Sequence, residues 1–448
     1  MHAGVFGRAW RLPWLCAPIL FVILWPSRAD AYPWMLRHGY GGCATCHTDP
    51  TGGELLTPYG RVQSDLILRM RYGKDGVSAA ASEQSGSGSF DSFDAFDETP
   101  QGAAEAAEQP EEEAAAGGGG LGDSSGFLWG LVEPPDWLLL GGSIRTATLY
   151  DWGEDVSVFP MQADLYAQLK FGSVRAAGSI GAARVEAGSP HARAAQITTS
   201  QGKDFNLISR THWVGVDFTD EYLLRAGRLN LPFGVRIPEH IAWVREETRT
   251  DRESDQQHGL ALSYSGSYLR GELMAILGNY QINPDKFRER GYSLFLEALV
   301  ASSLGVGVNS LVTTAQADRE TFEDETTLRQ SHGLFARLVP ASQVAVLAEG
   351  DALLETDTDL GYVGFLQLDY EPVQGLHFLV TGELLDQGFV PAEGAGADPP
   401  AAPGFGEPRF GGWLSVDWFF APHFEVRVDG IARQDDPFRI LGQLHVFL

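Results

Sequence analysis

The chain has 448 residues, with 59 acidic against 32 basic side chains and a formal charge of −27. That length allows two or three domains, and the acidic balance, with no Lys/Arg cluster to offset it, argues against a nucleic-acid partner. The 53 glycines and an aromatic fraction of 11 % favour β structure with many tight turns.

Residues 1–31 carry the marks of an export signal. Arg8 and Arg11 precede an apolar stretch from Leu12 to Trp25, and Ala29-Asp30-Ala31 is a small-x-small cleavage site. Cleavage after Ala31 leaves Tyr32 first, and Cys16 departs with the signal. The apolar stretch is short and proline-broken for an anchor of about 20 residues. Past residue 31 no stretch is long and apolar enough for a transmembrane helix, so the exported chain is periplasmic, released, or inserted as a closed barrel.

Residues 32–74 form a small head, too short to bury an adequate core without a staple. A short helix is expected to start at Thr57-Pro58 or Ser64 and to run through Leu66, Ile67 and Met70. The chemistry sits in Cys43-Ala44-Thr45-Cys46-His47, which has the CxxCH spacing of c-type haem attachment. Two thioethers must reach the two vinyl groups of one porphyrin, and the next residue then offers an imidazole to the iron. Cys43 and Cys46 are therefore the expected tethers and His47 the proximal iron ligand.

Two other readings of a CxxC compete. Thioredoxin-type redox chemistry wants a βαβ context that is missing, and zinc wants a second Cys/His pair that does not stand nearby. One covalent haem c is the expected cofactor, and it supplies the staple. Gly41-Gly42 and Gly52-Gly53 flank the motif and let backbone approach a flat ring. The distal ligand stays open. His38, five residues before Cys43, leads; Met70 and Met35 follow, and an open or water-ligated iron is the remaining case.

Residues 75–126 are an acidic linker. Twelve Asp and Glu residues and no Lys or Arg stand among Ala, Gly, Ser and Gln. With few large apolar groups to offset ordering entropy, a disordered, solvated tether is expected.

From residue 127 to 448 the period is two. In the run from Phe424 to Arg433, Phe424, Val426 and Val428 share one face and Glu425, Arg427 and Asp429 the other. About sixteen such runs start near positions 138, 162, 174, 206, 222, 258, 268, 292, 304, 332, 343, 361, 375, 411, 424 and 438. Short turns such as Phe171-Gly172-Ser173, Pro340-Ala341 and Pro372-Val373 alternate with longer connections, notably residues 186–203, 232–257 and 386–409. That segregation predicts a transmembrane antiparallel barrel of about sixteen strands in outer-membrane lipid, and a soluble sandwich would not produce it. An even strand count returns both chain ends and the short turns to the periplasmic side. Inward faces are expected to carry mixed charge, among them Arg145, Asp164, Lys170, Arg225, Glu297, Asp369, Glu383 and Arg427.

The head stretch YPWMLRHGYGGCATCHTDPTGGELLTPYGR resembles the N-terminal domain of the fused monohaem cytochrome–porins of iron-oxidising bacteria. Its CxxCH, Leu55-Leu56 and Tyr59-Gly60-Arg61 carry the resemblance. The likeness departs in the residues around CxxCH and in the long acidic linker. It implies electron transfer across the outer membrane, with periplasmic cytochromes or other redox carriers as partners and an external donor or acceptor. The chain is then an electron carrier, or an oxidoreductase if it oxidises an external donor directly. A diffusion porin whose haem head is a sensor or docking tag is the alternative, and a surface haem oxidoreductase is a third reading that needs an open iron. The haem domain is expected on the periplasmic side or inside the barrel.

Overall fold

The computed structural model describes residues 34–38, 40, 42–70, 126–153, 155–184, 205–278, 286–318, 325–356, 359–388, 407–434 and 436–448. The expected signal and nearly all of the acidic linker lie outside them.

Seventeen strands make one closed antiparallel sheet. In chain order they are β1 (Leu138–Asp151), β2 (Ser157–Phe171), β3 (Val174–Arg184), β4 (Phe205–Ile208), β5 (His212–Asp217), β6 (Tyr222–Leu229), β7 (Gln257–Ser265), β8 (Leu269–Gly278) and β9 (Arg290–Ala301). Then follow β10 (Leu304–Ala315), β11 (Thr327–Ala341), β12 (Val344–Glu355), β13 (Gly361–Val373), β14 (Leu376–Asp386), β15 (Arg409–Ala421), β16 (Phe424–Arg433) and β17 (Arg439–Phe447). Strands β4 and β5 both pair with β3, so they are halves of one stave and the barrel has sixteen. Between them Arg210 turns inward to Asp164 at 2.9 Å, while Ser179 and Thr211 keep the seam bonded. The ring closes where β1 pairs with β17, from Ser143↔Phe447 to Asp151↔Arg439.

Every expected run is present. The largest offsets are at β2 and β11, which begin at Ser157 and Thr327 against 162 and 332, because pairing extends beyond the apolar alternation. Two turns fall later than expected, at Ser342-Gln343 and Gln374-Gly375. Pro340 and Pro372 instead lie in register shifts at the strand ends, where a missing N–H breaks no ladder bond.

The outer wall is apolar and the lumen polar. Leu414 is 68 % exposed and Leu366 56 %, whereas Asp369 is fully buried and Arg427 nearly so. Such an inversion is stable only with lipid outside. Lys170 is the exception to the inward charges, exposed at the end of β2. Trp152, Phe171 and Phe218 stand exposed at or near strand ends, as interfacial girdles require.

Two segments fill the lumen. The β6–β7 connection, residues 230–256, packs Val235, Ile237, Trp243 and Val244 against Phe365, Leu385, Trp413 and Ile431 on β13 to β16. The head, residues 34–70, enters at the end carrying the short turns. Arg37 pairs with Asp369, the amide of Met70 donates to the Phe419 carbonyl at 2.8 Å, and Gln374 donates to the carbonyls of Leu66 and Arg69.

Candidate functional site: the CxxCH turn in the lumen

Local chain geometry builds the site. The amide of His47 donates to the Cys43 carbonyl at 2.9 Å, closing one helical turn over the motif. The chain then reverses through Gly52 and Gly53, both at positive φ, and Thr48 bonds back to the Leu55 carbonyl. Beyond it Thr57 caps the helix Pro58–Gln63: its Oγ1 accepts from the amide of Gly60 and donates to the Thr45 carbonyl, both at 3.0 Å. A turn of wider, π-type helix, Ser64–Leu68, continues it and ends before Met70. Gly60 lies flat on the motif, where any β-carbon would collide with the Cys46 carbonyl. The helix can therefore brace the CxxCH turn only because position 60 is glycine.

The barrel grips this turn. Asp49 meets Arg225 of β6 at 2.7 Å, and Arg225 is held in turn by Glu272 of β8. Thr211 Oγ1 donates to Glu54 at 2.6 Å, Arg61 donates to the Leu140 carbonyl, and Arg252 of the lumen loop donates to the Gly52 carbonyl. Burial, reinforced by the negative charge of Asp49, pushes the Glu54 carboxyl up to about 7. Burial first and the Arg252 guanidinium second bring His47 down to about 4. A neutral imidazole is the form that ligates a metal.

Cys43 and Cys46 are both buried and form no disulfide with each other. Cys46 and His47 line an open cavity with about 2140 Å³ of unfilled space, walled by the head, by loop residues such as Pro238, His240 and Arg252, and by β1, β16 and β17. Cys43 faces a second cavity of about 840 Å³ beside Arg236, Arg270 and Phe295. His47 Nδ1 donates to the Gly53 carbonyl at 2.9 Å, which leaves the lone pair of the neutral ring on Nε2. A backbone acceptor on the far nitrogen is the usual support of a metal-ligating histidine. Two thiols three residues apart, an oriented imidazole and adjoining space fit a covalent haem, with Cys43 and Cys46 to tether it and His47 to ligate iron.

The distal candidates separate. His38 lies near the short-turn end, its Nε2 3.7 Å from Glu371, and Met70 sits at the rim. Of the three, Met35 alone is among the described residues lining the His47 cavity; it is buried against Ala345 and Phe419. The grip of Arg225 on Asp49, the inward loop and His240 escaped sequence reasoning. The loop left a signal: Val235, Ile237, Trp243 and Val244 are too apolar for an exposed connection.

No family model matches the chain, and no curated protein is similar in sequence. Solved structures share its fold. OmpT of Vibrio cholerae, expressed in the outer membrane, is 11 % identical over 71 % of this chain and 100 % of that one, with a TM-score of 0.50. Salmonella typhi OmpF in complex with daunomycin is 12 % identical over 69 % and 97 %, with a TM-score of 0.51. At such identities the likeness is one of fold: a porin-like barrel that fits the outer membrane.

Proposed function

We propose that this chain is an outer-membrane electron-transfer protein holding one covalent haem c within its barrel, between periplasmic redox carriers and a donor or acceptor outside. The observation that carries the reading is the docking of the CxxCH turn inside the lumen, beside the inward loop. A tethered sensor would not need that burial, and a diffusion pore would be obstructed by it. Haem c supplies one-electron exchange at its iron when bound. Cys43 and Cys46 prevent its loss, His47 orients the ring, and Arg225, Thr211 and Arg252 fix the turn that carries them.

The head is exported first, and an even stave number returns the chain to the side where it began. The short turns and the head's entry therefore face the periplasm, where a soluble carrier can approach. An apolar band is about 25 Å tall, so one haem at the rim could not serve both faces, and a position within the lumen shortens the distance to each.

Liposomes carrying the haem-loaded protein and an internal oxidised dye test this. An impermeant external donor should reduce the dye, and His47→Ala should abolish that flux while leaving small-solute permeability unchanged. Solute flux without electron flux would establish the diffusion-porin reading instead.

A further inference from the structure

Resting on that reading, we infer that the sixth iron ligand comes not from the head but from the barrel's lumen loop, at His240, so that the haem is held between the two parts of the chain. His47, Cys46 and His240 line one cavity from two segments of the chain, residues 34–70 and 230–256. Within that cavity the Gly53 carbonyl orients His47 through Nδ1. That backbone acceptor takes the N–H of His47, and the other nitrogen is the ligating one.

The loop is fixed on both sides of His240. Glu239 accepts from Arg427 at 2.6 Å and from Gln367 at 2.9 Å, and the amide of Trp243 donates to Glu383 at 2.7 Å. A ligand on so braced a segment is preorganised.

Of the cavity's other imidazoles, two are held by side chains and one stands in the β15–β16 turn. His445 bonds Ser143 through Nε2 and Glu425 through Nδ1. His377 lies between Asp369 and Glu371 on β13, and His423 bonds the Phe447 carbonyl at the rim. Met35 is packed in an apolar cluster with Ala345 and Phe419. His38, placed beside Glu371, is not among the described lining residues. Two neutral imidazoles give a lower potential than a His/Met pair, which suits exchange with carriers of low potential.

The full-length protein, matured with a c-type assembly system, tests this in order. A haem-staining band after denaturation in reductant comes first; its absence overturns the haem reading and this inference with it. With the band present, wild type should be low-spin in both oxidation states and inert to carbon monoxide. His240→Ala should keep the stain and the heat-modifiable mobility of a folded barrel, become high-spin and bind carbon monoxide in the ferrous state. His240→Met should restore the low-spin state at a raised midpoint potential, which a merely structural residue would not do. A His240→Ala protein that stays low-spin and inert to carbon monoxide overturns the assignment. So does a wild type that is already high-spin. His38→Ala and Met35→Ala in parallel then show which head residue is the ligand.

Discussion

At the scale of single residues, position 60 and position 54 set the strictest terms. Gly60 admits the Cys46 backbone where a methyl group cannot fit. Gly60→Ala should cost about 1–3 kcal/mol of head packing and lower the yield of haem-stained protein, with barrel mobility in detergent unchanged. Glu54 titrates near 7 in the docked head, chiefly through burial. A carboxyl that binds its proton more tightly when docked loses docking stability as pH rises from its ordinary 4.5 to about 7, with no further loss above. Hydrogen exchange across residues 43–60, corrected for intrinsic rates, should therefore be more protected near pH 5 than near pH 8. Glu54→Gln should flatten that dependence. The grouping of Cys43, Cys46 and His47 on one turn was legible because their spacing is local in the chain. Asp49 was not, because its partner Arg225 lies on β6 and only the fold brings them together.

At the scale of elements, strands were legible and lumen contents were not. Period-two alternation records which side of the wall a residue faces, so β13 and β15 could be placed from Phe365 or Trp418 and their neighbours. It carries no information on what crosses the interior, and inward apolar residues such as Phe365, packed on the lumen loop, depart from it. Charges such as Asp369 and Glu349 read as ordinary lumen lining, yet Asp369 receives Arg37 of the head and Glu349 secures the loop. Glu349 accepts from the amide of Val235 at 2.8 Å and from Arg245, and Asn309 reaches its other oxygen at 3.3 Å. Removing it leaves Arg245 buried without its counter-charge and the Val235 amide without its acceptor, worth about 3–5 kcal/mol together. Glu349→Ala should loosen residues 230–256, giving higher and noisier single-channel conductance in planar bilayers. Unchanged conductance would mean that the apolar contacts of Trp243 and Val244 hold the loop alone.

At the scale of the whole molecule, the question is what a sixteen-stave barrel does with its lumen. The inward loop narrows it, and the head occupies the short-turn end through contacts with β1, the β4–β5 junction, β6, the β11–β12 turn, β13 and β15. These contacts join two parts that the chain itself separates by the acidic segment 75–126. A segment of that length lets the head reach the lumen without fixing it there. The binding free energy must come from the contacts, and Arg37–Asp369, Arg225–Asp49 and Thr211–Glu54 are buried pairs that water would otherwise have to solvate. Deletion of residues 33–125, keeping the signal and its cleavage site, should still give a heat-modifiable outer-membrane barrel. That protein should lack the haem stain, pass no electrons to an enclosed dye and conduct ions better than the full chain by severalfold. The head is then a plug as well as a redox carrier. If the deletion conducts no better than the full chain, residues 230–256 close the lumen by themselves and the head is no plug.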